Sequence, residues 1–140
     1  MKNLWCLIQF ALASVGSFAV WFLGGIDGYI YVLIVFVAAD YITGVMRAAV
    51  MRSLSSKIGA KGILRKILIF ILIGLSNLVD YYLLINSGVL RAAVVFFYIS
   101  NEGISILENV HAMGLPVPAK LKVVMRRLEG DKSGRKTKRG

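Results

Sequence analysis

Asn101-Glu102-Gly103-Ile104-Ser105-Ile106-Leu107-Glu108-Asn109 follows, after Ser100, the apolar run from Ala92 to Ile99. That run is too short to cross about 30 Å of hydrocarbon, which takes about 20 helical residues. The segment therefore either spans by carrying two carboxylates, two amides and a hydroxyl into the bilayer, or it stops short and changes the topology. Ionisable groups at that depth are costly and mark function by default.

The rest of the chain sets the terms of that choice. Of 140 residues, 58% are hydrophobic and only 17% charged, and the mean hydropathy is +0.75, which describes a membrane protein and not a soluble globule. The net charge of +10 comes from 17 Lys and Arg that cluster between apolar runs. It therefore speaks to membrane orientation, and no soluble domain is left to bind nucleic acid. The single cysteine, Cys6, lies in an apolar run and can form no internal disulfide.

A first span is expected over 4–23, uncharged and too long for the apolar region of a cleaved leader. Ala13, Gly16 and Ser17 lie on one of its faces, a small-residue stripe suited to helix packing. After the turn at Gly24, Gly25, Asp27 and Gly28, a second span over 29–47 carries Asp40, Thr43, Gly44 and Arg47 on one face. Arg47, Arg52, Lys57, Lys61, Arg65 and Lys66 then form a basic stretch without an acid, a positive-inside signal that also attracts anionic headgroups. A third span is read over 67–85. Asn86-Ser87-Gly88 is a turn, and folding about it sets Asp80 and Arg91 at similar depth for a salt bridge.

Charge decides the fourth segment. With three spans, the tail holding Lys120, Lys122, Arg126, Arg127 and five further cations would face outward; with four, over 90–110, both basic regions face inward, as the rule requires. Three spans with an interfacial fourth helix is the alternative. Beyond Pro116 and Pro118, residues 113–130 read as an interfacial amphipathic helix, with Leu121, Val124, Met125 and Leu128 on one face and Lys122, Arg126 and Arg127 around it. Residues 131–140 read as a disordered basic tail. The domain plan is a helical membrane unit over 1–112 followed by these two pieces, an all-α membrane protein.

No catalytic constellation can be assembled around the only histidine, His111, and no metal or cofactor is expected. The remaining chemistry is a polar stripe: Asp40 and Thr43 in the second span, and Asn101, Glu102, Ser105 and Glu108 in the fourth. Two readings of it stand level. Inter-helix hydrogen bonds satisfy the stripe, or several copies turn it toward a shared aqueous lumen.

The order Asp40-Tyr41-Ile42-Thr43-Gly44, Lys57 with Gly59, Lys61-Gly62-Ile63, Arg65-Lys66, the nonapeptide 101–109, then Gly114, Pro116, Pro118 and Leu121 resembles the toxin-secretion/phage-lysis holin family from about Tyr29 to Leu128. The resemblance implies a multi-pass protein of the bacterial cytoplasmic membrane that self-associates and opens large lesions. Through these an endolysin reaches the wall, or a toxin without a signal peptide leaves. The functional partner is then a peptidoglycan hydrolase, with an antiholin form as a further one, and both termini are expected in the cytoplasm. A small proton-coupled transporter or efflux protein, and a membrane scaffold recruiting an anionic partner, are the competing readings.

Overall fold

The computed structural model describes residues 1–121 and 123. Four helices follow one another: α1 (Lys2–Phe22), α2 (Gly28–Val50), α3 (Ser56–Leu83) and α4 (Val89–Ala112). All four are long and apolar enough to cross a membrane, so the nonapeptide lies wholly inside a continuous spanning helix. They run alternately up and down. The end of the bundle that holds Arg47, Arg52 and Lys57 is its basic end; the connections 23–27 and 84–88 form the far end. The helix expected over 113–130 and the tail over 131–140 lie largely outside the described residues, as do Lys122, Arg126 and Arg127.

Local chemistry sets the boundaries. Asp27 caps α2, its Oδ1 accepting the Ile30 N–H at 3.0 Å, which satisfies one of the amides a helix start leaves free. α3 begins at Ser56, eleven residues before the expected third span, so Lys57, Lys61, Arg65 and Lys66 belong to a helix and not to a loop. The α4 start has no side-chain cap of its own. Asp80 supplies one from α3: its Oδ1 accepts from the Leu90 N–H at 3.2 Å and the Ser87 hydroxyl at 3.1 Å, and its Oδ2 from the Arg91 N–H at 2.6 Å. A carboxylate at a helix N-terminus also meets the positive end of the helix dipole.

α2 and α4 share the most extensive contact, α3 lies along α4, and α3 touches α2 only sparsely. Ile30, Leu33, Ile73 and Val95, all at 0% exposure, form an apolar plug joined by Leu23 and Ile69. α1 stands apart. Every residue from Met1 to Trp21 is exposed in the single chain, and the attachment is confined to the far end. There the Phe22 ring lies where a Cβ on Gly74 would be, within 1.9 Å of it, and the Asn77 amide donates to the Phe22 carbonyl at 3.2 Å.

Only glycine leaves room for that ring. Gly74→Leu is expected to eject Phe22 and undock α1, at a cost of about 1–3 kcal/mol for overpacking. With Trp5→Phe in the background, a shift in Trp21 emission measures it; unchanged emission would contradict the Phe22–Gly74 contact.

Candidate functional site: a buried ionic bridge at mid-span

Asp40, Lys66 and Glu102 each lie ten residues from the basic-end terminus of their helix, α2, α3 and α4 respectively. At 1.5 Å per residue that is about 15 Å of depth, the same level on three helices. There the Lys66 ammonium bridges Asp40 Oδ2 and Glu102 Oε2. The three side chains are only 16%, 11% and 4% exposed. Burying charges at this level is tolerable because they are paired and hydrogen-bonded; removing the shared cation leaves both carboxylates uncompensated.

Asn109 completes the second half of the site. Its Nδ2 donates to Thr43 Oγ1 at 3.1 Å, to Asp40 Oδ1 at 3.2 Å and to the Asp40 carbonyl at 3.4 Å. Its Oδ1 accepts from Arg47 Nη1 at 3.4 Å. The Thr43 hydroxyl in turn donates to the carbonyls of Ala39 and Asp40. Gly44 faces this cluster, with Asn109 Nδ2 at ordinary contact distance, 3.6 Å, from its Cβ position. Asp40, Glu102, Lys66 and Arg47 carry two negative and two positive formal charges, so the inner half of the bundle is balanced within one chain.

Two clefts flank α3 and meet at this bridge. One, of about 220 Å³, is lined by Tyr41, Gly59, Gly62, Lys66, Ser105 and Asn109 among others. The second, of about 420 Å³, adds Arg65, Asn101 and Glu102. Glu108 is half-buried and contributes to neither.

The polar stripe therefore divides. Asp40, Thr43 and Glu102 are drawn into one bonded cluster, Asn101 and Ser105 border it, and Glu108 stands off. One expectation needs correcting. Lys66 lies between Asp40 and Glu102 and so points inward instead of toward headgroups, unlike the exposed Lys57, Lys61 and Arg65. Its inward role had a visible signal: Gly59, Gly62, Lys66, Ile69, Ile73, Ser76 and Asp80 repeat at steps of three and four, the period of one helix face. Ala13, Gly16 and Ser17 are exposed, and among the described residues nothing lies within 4 Å of a Cβ position on Gly16.

The far end holds a second polar cluster, where the Asp80–Arg91 salt bridge takes another form. Asp80 binds the Arg91 backbone amide, and the guanidinium reaches the other way. Its Nε donates to the Leu23 carbonyl at 2.6 Å, its Nη1 to Asp27 Oδ2 at 2.7 Å and its Nη2 to the Gly25 carbonyl at 3.2 Å. Both Asp80 oxygens are taken up by the α4 start, whereas Asp27 caps α2 with Oδ1 alone, so the carboxylate oxygen opposite Arg91 is Asp27 Oδ2. The Arg91 hydrogen bond holds the Asp27 carboxyl below the usual carboxylate range, despite its partial desolvation. Gly24 makes the approach possible: at φ 78° it follows the α1 end where a Cβ would fall 2.2 Å from Asn77 Oδ1 and 2.9 Å from Arg91 Nε. Asp80→Ala is expected to cost about 1–3 kcal/mol through the lost cap and the unsatisfied amides. Faster hydrogen exchange at Leu90 and Arg91 is its signature, and unaltered protection there would refute the cap.

Comparison with known proteins places this arrangement. Residues 17–130 match the model of the bacteriophage holin family. An uncharacterized 14.9 kDa protein of Clostridium perfringens is 37% identical over 132 residues, 94% of this chain and 100% of its own length. An uncharacterized protein of Listeria monocytogenes is 40% identical, covering 83% and 82%. A probable holin of Bacillus phage phi105 is 37% identical over 103 residues, covering 74% and 76%. No solved structure matches. With its four membrane-length helices and its family match over both polar clusters, this chain belongs to the bacteriophage holin family.

Proposed function

We propose that the protein acts as a holin: it self-associates in the bacterial cytoplasmic membrane and opens lesions wide enough to pass a folded endolysin or toxin. The observation that carries this reading is the buried Asp40–Lys66–Glu102 bridge inside a family member whose helices expose large apolar side chains along their length. Such a chain inserts with its polar groups satisfied internally. It also holds, on three helices at one level, the groups an aqueous lesion needs once the helices part. The basic end faces the cytoplasm under the positive-inside rule, both termini with it, and the exposed Lys57, Lys61 and Arg65 meet anionic headgroups there.

Bridge neutralisation thus sets the resting state, and lesion opening requires the bridge to be remade. Expression of the chain alone is expected to release a cytoplasmic enzyme after a delay. Asp40→Asn and Glu102→Gln, each removing one arm of the bridge, are expected to shift that delay several-fold. A membrane that stays sealed would remove the holin reading in favour of a transporter or scaffold, and unchanged timing in both variants would remove the bridge from the mechanism.

A further inference from the structure

The three helices that share the bridge are not joined equally. α2 and α4 are stitched by Asn109 to Asp40 and Thr43, by Arg47 to Asn109, and by Phe36 lying 3.3 Å from a Cβ position on Gly103. α3 and α4 are joined by Lys66 to Glu102 and by the Asp80 cap. Between α2 and α3, among the described residues, the one polar side-chain link is Lys66 to Asp40, half of a shared cation. The rest of that seam is underpacked. A groove of about 310 Å³ lined by Ile34, Val37, Ala38, Ile63, Ile67 and Phe70 runs along it, and toward the basic end Tyr41 covers Gly59 and Gly62 at ordinary contact distance, 3.6 Å from either Cβ position.

Parting this seam separates charges unevenly. Lys66 stays on Glu102, and α2 keeps Asn109, but the Asp40 carboxylate loses the one cation that it contacts among the described residues, at a depth where an unpaired charge is expensive. The group that restores it is a Lys66 ammonium at the same depth, and a second copy of this chain presents one on the edge its own opening exposes. We propose that α2–α3 is the seam along which the chain opens to join a second copy, the Lys66–Asp40 link made within the resting chain being made between chains in the assembly. The proposal rests on the holin reading. The contact is heterologous, a Lys66 edge against an Asp40 edge, so every added copy leaves both edges available for the next. Such contacts build rings or open arcs of no fixed number, as a large lesion requires.

The test uses the full chain with Cys6→Ser and a short thiol-to-thiol cross-linker. Tyr41→Cys with Gly62→Cys clamps α2 to α3; Phe36→Cys with Gly103→Cys clamps α2 to α4. Before cross-linking both pairs are expected to release a cytoplasmic enzyme as the parent does. If the first pair releases poorly by itself, Ala38→Cys with Ile67→Cys, from the same groove, takes its place. Clamping α2–α3 is expected to cut release at least tenfold, while clamping α2–α4 changes it less than twofold. In addition, a chain carrying only Tyr41→Cys, co-expressed with a differently tagged chain carrying only Gly62→Cys, is expected to give a cross-linked dimer after lesions open and not before. Release that survives the α2–α3 clamp, or lesions without trans dimers, overturns the seam and leaves the holin reading standing. A parent chain that releases nothing overturns both.

Discussion

Replacing Lys66 by Met is expected to destabilise the bundle by about 3–5 kcal/mol, the usual cost of removing one partner from a buried charge pair. The side chains of Asp40 and Glu102 would face each other at 11% and 4% exposure without the cation between them. Unfolding in mixed micelles, followed by helical circular dichroism, measures the loss. Adding Asp40→Asn and Glu102→Gln to the same chain removes the stranded charges and is expected to recover most of it. A loss under about 1 kcal/mol for Lys66→Met, or no recovery in the triple variant, would mean that the bridge does not hold the three helices together.

Arg91→Ala is the second large effect, and it is local. The guanidinium gathers two carbonyls and one carboxylate from the α1–α2 connection while its residue is only 8% exposed. Hydrogen bonds from a charged donor contribute about 1.5–3 kcal/mol each and do not add fully, so a loss of about 3 kcal/mol is expected. It should appear as protease cleavage at Gly24 or Gly25 with the α2–α4 core still folded. Arg91→Lys, with a single point donor, is expected to recover only part. The pH dependence follows from Asp27. Its carboxyl is held below the ordinary carboxylate range in the folded chain, so the Arg91 contact is fully present above that range and fades as pH falls through the lowered value. Resistance to cleavage should therefore be level from neutral pH to about pH 5 and decline only below about pH 4. A decline centred near pH 6 would implicate a different group.

The four spans and the two polar levels were readable from hydropathy and charge placement, because hydrocarbon thickness and the positive-inside bias leave few alternatives. Which polar groups meet was not. Lys66 sat next to Arg65 at the edge of the apolar window, and a hydropathy boundary assigns both to a loop; only the periodic face running from Gly59 to Asp80 separates the inward cation from the outward one. Arg91 was readable as a buried charge seeking a partner. The choice of Asp27 over Asp80 depended on Asp80 being used up by the uncapped start of α4, a fact of backbone geometry across a turn. Likewise Gly74 gives no sign in the sequence that a ring from another helix fills its missing side chain.

The far-end and mid-span clusters also fix an order in time. Asp27 and its partner Arg91 are 64 residues apart, and Asp40 and Asn109 are 69 apart, so at about 5–20 residues per second each acid is synthesised several seconds before its partner exists. α2 therefore enters the membrane carrying Asp40 unaccompanied, gains a cation when Lys66 arrives 26 residues later, and is locked only when the last turns of α4 emerge. A nascent chain interrupted before Asn109 has the Lys66 bridge but lacks the bonds from Asn109 to Asp40 and Thr43 that tie the ends of α2 and α4 together. The fourth membrane-length helix is thus the one that turns a set of inserted segments into a bundle.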